Sequence, residues 1–358
     1  MEGYNYNLGL YFYTIASSFS DNVALSYLDK KNYSYSELNS ISNQIARLLI
    51  SKKIKKNQVV ALLNNKSVTA YASMIACLKL GIIYTNLDYS SPWERIKKIL
   101  STCIPVIILD DGTQSELAGH IKKNSSVDVL NICSDEFDKT ISSFEKSDLE
   151  ETKNITGADP AYIMFTSGST GFPKGAVMSH SNVINFIQWG QNTFNITPSD
   201  IFTNANPIYF DNSVFDFYTS LFSGAALVPI SSETAREPKS LVKAVNDSGC
   251  TIWFSVPSLL VYLLTTKALS SDDFKSIKRI IFGGEGFSKT KLKQLFDLYS
   301  GRIALYNVYG PTECTCICSS YIVTEKDFDK MNELAPLGYL APNFSYCIAS
   351  AKSRLMMV

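Results

Sequence analysis

Short apolar runs separated by longer amphipathic stretches set the rhythm of this chain. Val59-Val-Ala-Leu-Leu63, Pro105-Val-Ile-Ile-Leu109, Thr251-Ile-Trp-Phe254 and Arg279-Ile-Ile-Phe282 read as strands buried on both faces. Between them, Ser36 to Leu49, Val68 to Leu80 and Lys289 to Tyr299 repeat apolar residues at helical spacing, which predicts amphipathic helices with one stripe toward a core. The alternation predicts α/β layers. A polar stretch from Ser134 to Ile155, rich in Ser, Asp, Glu and Lys, predicts a junction between subdomains spanning about 1–150 and 151–358. No internal repeat is visible.

One apolar strand ends in unusual chemistry. Tyr162-Ile-Met-Phe-Thr-Ser-Gly-Ser-Thr-Gly-Phe-Pro-Lys-Gly175 runs from a strand into hydroxyls and glycines and then a lysine. Gly168, Gly171 and Gly175 let the backbone turn and approach an anion, Thr166, Ser167, Ser169 and Thr170 supply donors, and Lys174 supplies positive charge. A surface turn needs only one or two such residues. The nucleotide-binding P-loop would place glycine before the lysine and Ser or Thr after it, whereas Pro173 and Gly175 stand there; Ala176-Val-Met178 then reads as a second strand, not a helix start. A kinase or GTPase is disfavoured.

Composition narrows the class. Lysine plus arginine and aspartate plus glutamate number 33 each in 358 residues, so no electrostatic footprint for nucleic acid or anionic membrane is present. The start, Met1-Glu-Gly-Tyr-Asn, lacks the basic and apolar regions of a secretion signal, and no apolar run is long enough to span a bilayer. A cytoplasmic protein with no nucleic-acid or membrane partner is expected. Cys314, Cys316 and Cys318 alternate, which on a strand would send all three to one face; with only His120 and His180 available, reduced apolar cysteines are expected rather than a zinc site.

The loop resembles the signature of the adenylate-forming superfamily, which contains acyl-CoA and aryl-CoA synthetases, luciferases, nonribosomal peptide synthetase adenylation domains and D-alanine:carrier-protein ligases. Further segments resemble that family in order and spacing: Tyr35-Ser-Glu-Leu38; Leu78-Lys-Leu-Gly-Ile-Ile-Tyr84 with Asp88 and Pro92-Trp-Glu-Arg95; Phe210-Asp-Asn-Ser-Val-Phe-Asp-Phe217 with Gly224-Ala-Ala226; Gly283-Gly-Glu285; and Asn307-Val-Tyr-Gly-Pro-Thr-Glu313. Alone, the last is also what a tight turn with a capping threonine looks like. The resemblance covers about residues 10 to 348 and implies the layered αβαβα large N-terminal domain of that fold.

It also implies a reaction: a carboxylate attacks the α-phosphate of ATP, and the resulting acyl-adenylate passes to a thiol. By the resemblance, Thr166 and Ser167, with Gly168, Ser169, Thr170 and Gly171, contact phosphates, and Lys174 shelters the β- and γ-phosphates. Asn307 bonds the adenine amino group, Tyr309 stacks on the base, and Gly283, Gly284, Val308, Gly310 and Pro311 shape the nucleotide side. Thr312 holds the α-phosphate and Glu313 binds Mg2+, a hard ion suited to carboxylate and phosphate oxygens. Lys174, Thr312 and Glu313 are the catalytic candidates.

Substrate class turns on Asp211. In amino-acid-activating members an aspartate in this context pairs with the α-ammonium; the alternative is a helix N-cap preceding Asn212. The pocket wall implied by the resemblance is Asn212, Phe215, Ser255, Ile281, Gly283, Val308, Cys316 and Ile317. Trp253-Phe-Ser-Val-Pro-Ser258, Phe282-Gly-Gly-Glu285 and Pro336-Leu-Gly338 resemble D-alanine:carrier-protein ligases and neighbouring stand-alone amino-acid adenylation enzymes; in the D-alanine enzymes cysteine matches Gly283, and glycine here implies a larger or differently shaped side chain.

The resemblance lapses near Ala349, before the family's Gly-Glu-Leu and Tyr-x-Thr-Gly-Asp motifs, hinge and small C-terminal lobe with its lysine. The expectation is therefore the large lobe of an amino-acid-adenylating ligase serving an acyl or peptidyl carrier protein through phosphopantetheine, incomplete for catalysis. A carboxylic acid:CoA ligase lobe and a non-catalytic nucleotide-binding remnant remain open alternatives.

Overall fold

A computed structural model describes residues 5–112, 115–167, 172–299, 301–345 and 347. In chain order the strands are β1 (Val23–Ser26), β2 (Asn32–Ser34), β3 (Val59–Leu63), β4 (Ile83–Asn86), β5 (Ile107–Asp110), β6 (Asp128–Asn131), β7 (Pro160–Ser167), β8 (Pro173–Ser179), β9 (Ile201–Asn204), β10 (Ala226–Pro229), β11 (Ile252–Ser255), β12 (Arg279–Gly283), β13 (Ala304–Tyr309), β14 (Ser319–Ile322) and β15 (Tyr339–Leu340). They form a six-stranded sheet, β6-β5-β3-β4-β7-β8, and a nine-stranded sheet, β15-β14-β13-β12-β11-β9-β10-β1-β2. Most neighbours are parallel; β8 closes one sheet antiparallel to β7, and in the other β14 runs antiparallel to β13, β15 antiparallel to β14 and β2 antiparallel to β1.

Strand periodicity builds the layers. Val60 and Leu62 face a central core while Ala61 and Leu63 face an outer one, and Ile281 faces the central core while Ile280 and Phe282 face away. Helices Leu8–Ser18, Tyr35–Ser51, Val68–Leu80 and His180–Thr193 fill the central layer between the sheets. Helices Pro238–Asp247, Pro257–Thr265 and Lys289–Tyr299 cover the outside of the larger sheet, and Trp93–Cys103 and Ser115–Asn124 cover the smaller. This is the expected αβαβα order.

Local sequence fixes the helix ends. Ser34 and Glu37 form a capping box at the start of Tyr35–Ser51, and Ser67 caps Val68–Leu80, which stops at Gly81 in the left-handed conformation, φ +64°. Each such cap contributes about 1 kcal/mol.

Three expectations need correction. Val68–Leu80 is not amphipathic: Thr69 through Leu80 are all buried, because the helix lies between two sheets and has no solvent face. Its lysine survives there because Lys79 Nζ donates to Asn39 Oδ1 at 2.6 Å, Ser42 Oγ at 2.6 Å and Asn43 Oδ1 at 2.7 Å. The sheets do not divide at residue 150: β7 and β8 belong to the smaller sheet, and β1 and β2 cross to the larger. The stretch 134–155, expected at that junction, holds the helix Asp135–Ser142 and a 3₁₀ turn, Glu150–Asn154. Finally, Cys314 to Cys318 is no strand. Thr312–Cys314 is a 3₁₀ turn, and Thr315 (φ +61°) and Cys316 (φ +75°) are left-handed, so the three cysteines do not share a strand face.

Candidate active site

Parallel strands leave their C-terminal ends on one side, where α/β folds bind ligands. β7 and β8 form a hairpin with Thr166 opposite Lys174 and Ser167 opposite Pro173. Thr166 is half-buried and Lys174 exposed. Gly168, Ser169, Thr170 and Gly171, at the tip, lie outside the described residues. Gly175 has a different task from the one its sequence position implies. A Cβ there would stand 2.8 Å from Ile163 Cγ2 and 3.2 Å from Phe165 Cε1, so glycine makes room for cross-strand side chains.

The larger sheet presents the second set. Gly284 is left-handed at φ +89°, and a Cβ on Gly310 would fall 2.5 Å from the Cys316 carbonyl oxygen. The close approach at Gly310 lets residues 316–318 fold back beneath Tyr309, whose carbonyl accepts from the Cys318 N–H at 2.8 Å. A cavity of about 300 Å³ opens beside Gly284, Phe287, Asn307, Tyr309 and Leu334. Asn307 donates to the carbonyls of Pro336 at 2.9 Å and Ala335 at 3.3 Å, which fixes its amide orientation and turns Oδ1, an acceptor, away from them. Tyr309 is 47% exposed, leaving a ring face for stacking. Cavity and side chains suit a planar base bearing an amino donor.

One hydrogen bond joins the sets, and a second closes the turns at the end of the larger sheet. Thr315 donates to Met178 Sδ at 3.1 Å, tying the turn after β13 to β8. Thr312 Oγ1 donates to Asp211 Oδ2 at 2.6 Å. Asp211 occupies the N-cap position of the short helix Asn212–Val214 with helical backbone angles and no side-chain cap bond, so the capping alternative has no support in its geometry. Burial pushes the Asp211 carboxyl above the usual carboxylate range, and the Thr312 hydroxyl pulls the other way. A half-buried carboxylate in that condition gains from a cation. Glu313 and Pro311 are exposed at the rim.

Behind Asp211 and half-buried Asn212, the remaining wall residues are largely buried, although Val308 also borders the cavity beside Asn307 and Tyr309. Phe215, Ile281, Val308, Cys316 and Ile317 all belong to the central core. Phe215 is an aromatic hub, edge-on to Phe254 at 5.1 Å and Phe194 at 5.5 Å. Ser255 Oγ is committed on both sides, accepting from Trp253 Nε1 at 2.8 Å and donating to the Val256 carbonyl at 3.1 Å. Gly283 does not open the pocket. A Cβ there would lie 2.3 Å from the Val308 carbonyl oxygen and 2.7 Å from Val308 Cγ2, so its space is already taken by the paired residue on β13. Sequence reasoning quoted Asp216 within the Phe210–Phe217 motif without giving it a role; the structure buries it completely.

These features place a cavity, an exposed aromatic face and a half-buried carboxylate at the C-terminal ends of strands in the larger sheet. The family model described as AMP-binding enzyme matches residues 12–355, and the chain belongs to that family. It is 29% identical to an L-proline--[L-prolyl-carrier protein] ligase of Streptomyces coelicolor over 85% of this chain and 59% of the relative. It is 30% identical to a D-alanine--D-alanyl carrier protein ligase of Bacillus licheniformis over 88% of this chain and 60% of that protein. This chain thus spans about three fifths of the length of these relatives. In fold it is similar to the Klebsiella oxytoca NpsA N-terminal subdomain in complex with 3-hydroxybenzoyl-AMSN, with a TM-score of 0.80, 21% identity, and coverage of 94% of this chain and 81% of that one. Among the described residues no helix is long and apolar enough to cross a membrane.

Proposed function

We propose that this chain forms the large lobe of a ligase that uses ATP to activate an amino acid as its aminoacyl-adenylate, for delivery to the phosphopantetheine thiol of a carrier protein. The observation that carries this is the 2.6 Å bond from Thr312 to Asp211, which puts the proposed α-phosphate ligand beside the proposed ammonium ligand. An amino acid bound with its ammonium on Asp211 has its carboxylate one carbon away, within reach of a phosphate held by Thr312.

In the first half-reaction a carboxylate oxygen attacks the α-phosphorus and pyrophosphate leaves; in the second, a thiolate attacks the acyl carbon and AMP leaves. Joining two anions requires charge neutralisation and alignment more than covalent help. Thr166, Ser167 and the loop 168–171 with Lys174 take the phosphates, and Asn307 and Tyr309 take the base. Glu313, exposed beside Thr312, would hold Mg2+ through its carboxylate, and a single protein carboxylate suits an ion that keeps most of its ligands as phosphate and water. Bound there, Mg2+ would supply charge stabilisation at the phosphates.

The test is amino-acid-dependent ATP–pyrophosphate exchange by this chain joined to a family C-terminal lobe. Asp211→Ala removes one member of a desolvated pair, so exchange with the preferred amino acid is expected to fall by about 3 kcal/mol or more, a hundred-fold or greater loss, with ATP affinity little changed. Equal use of an amino acid and its desamino analogue by the unaltered protein refutes the assignment and favours an acyl-CoA ligase.

A further inference from the structure

A buried polar network lies behind the Asp211 turn and has no part in the roles assigned so far. The helix that starts at Asn212 widens into a π-turn over Phe215–Thr219, a local irregularity that often marks functional sites. Asp216, in that turn, is wholly buried. Its Oδ2 accepts from Asn204 Nδ2 at 2.9 Å and Asn206 Nδ2 at 3.0 Å. Asn206 Nδ2 also donates to the Phe254 carbonyl at 2.9 Å, next to Ser255. Asn204 Oδ1 in turn accepts from the Tyr71 hydroxyl at 2.7 Å, and the Asn204 backbone carbonyl accepts from Lys66 Nζ at 2.6 Å. Lys66 Nζ donates to the Ile230 carbonyl as well, at 2.8 Å.

These bonds cross the whole central layer. Lys66 follows β3 in the smaller sheet, Tyr71 is on the central helix, and Asn204 and Ile230 lie at the ends of neighbouring strands in the larger sheet. Burial pushes the Asp216 carboxyl up to about 7, and burial pushes the Lys66 ammonium down to about 7. Groups this costly to bury persist where the arrangement they fix is useful, and here they hold the π-turn at the far end of the helical segment that Asp211 begins. Asp216 is five residues from Asp211 on one continuous helical segment, so releasing it frees the turn to shift. A shift of about 1 Å is enough to spoil charge alignment in a site of this kind.

We propose that Asp216, held by Asn204 and Asn206 and braced through Asn204 by Tyr71 and Lys66, is a positioning residue that aims Asp211 and so sets how strongly the site prefers an α-ammonium. The inference rests on the proposed pairing of Asp211 with that group. It concerns discrimination, which a general loss of stability does not change.

Calorimetry with this chain tests it, using a panel of aminoacyl-sulfamoyl-adenosines, non-hydrolysable mimics of the adenylate, and their desamino counterparts. The readout is the ratio of the two dissociation constants for the best-bound pair. Tyr71→Phe, which deletes only a hydroxyl, and Asp216→Leu are each expected to reduce the amine preference by about tenfold, with the desamino affinity within about twofold of the unaltered chain. Asp216→Asn keeps an acceptor oxygen for both amides and is expected to retain most of the preference. An unaltered chain with no amine preference overturns the Asp211 pairing and this proposal with it. A clear preference that survives in Tyr71→Phe, or amino and desamino affinities that fall together in Tyr71→Phe and Asp216→Leu, overturns this proposal alone.

Discussion

Gly283→Ala separates two accounts of the same glycine. If the residue is small to enlarge a substrate pocket, adding a methyl narrows the pocket and leaves the fold alone. The structure places the added Cβ 2.3 Å from the Val308 carbonyl oxygen, 2.7 Å from Val308 Cγ2 and 3.1 Å from the Val308 carbonyl carbon. Two of these are backbone atoms of the paired position on β13, so no rotamer change relieves them. The strand must move by roughly 1 Å, and overpacking of this kind costs typically 1 to 3 kcal/mol, here toward the upper end. Gly283 has no left-handed backbone to be strained by alanine, so reduced freedom of the unfolded chain returns about 0.4 to 1 kcal/mol. The expected net loss is about 2 kcal/mol.

The displacement also has a direction. Val308 sits between Asn307 and Tyr309, so pushing it moves both residues proposed to hold the base. Urea unfolding should show a lower midpoint for Gly283→Ala with an unchanged slope, and AMP affinity measured by calorimetry should fall in the same variant. Unchanged stability and AMP binding, with altered preference among amino acids only, would falsify the argument and restore the pocket-widening account.

Other expectations follow from single side chains. Burial lowers His180 to about 4, and its Nδ1 accepts the Leu8 N–H at 3.0 Å, so a proton on that ring costs both a charge in the core and a hydrogen bond. The unfolded imidazole takes up its proton near 6.5 and the folded one does not until about 4, so stability falls as pH drops through that window, by about 3 kcal/mol in total. His180→Gln should flatten the fall in melting temperature between pH 7 and 5; an equally steep fall in the variant shows that other groups govern it. Lys79→Met strands the Asn39, Ser42 and Asn43 acceptors beside the central helix and is expected to cost about 3 kcal/mol or more, read as a lower urea midpoint, with an unchanged midpoint counting against the account. Tyr309→Ala removes the exposed ring at the base cavity and should weaken AMP binding by about 1 kcal/mol in calorimetry; full affinity would mean the base sits elsewhere.

The strands and most helices were legible because their signals are local. Lys289–Tyr299 and Val68–Leu80 have the boundaries that their periodicity predicts, and the apolar run from Tyr162 lies in β7, which continues through Thr166 and Ser167. What was illegible depends on partners distant in sequence. Nothing near Val23 announces that β1, besides pairing with its chain neighbour β2, pairs with β10 some 200 residues on. Alternating cysteines at 314 to 318 imitate a strand, yet the segment must pass against Gly310, which forces Thr315 and Cys316 into left-handed turns. Gly175 and Gly283 looked like ligand contacts because the loops around them are rich in glycine. Only their cross-strand neighbours show that each makes way for a side chain or carbonyl of the protein itself.

The bond between Thr312 and Asp211 suggests why a threonine and an aspartate 101 residues apart should meet at the end of the larger sheet. A threonine hydroxyl has one hydrogen, and in the unliganded arrangement Asp211 has it. On the proposed roles the α-phosphate is a second claimant. When Thr312 turns to donate to phosphate, Asp211 loses one of the donors that oppose its burial, and its carboxylate becomes more costly until a cation arrives. The substrate's ammonium is that cation. Each ligand therefore improves the site for the other, because nucleotide frees the carboxylate that the amino acid needs, and the amino acid frees the hydroxyl that the nucleotide needs. Such coupling is reciprocal by thermodynamic necessity. It requires no movement larger than rotation of one side chain, and a desamino acid, having no charge to offer Asp211, gains nothing from it.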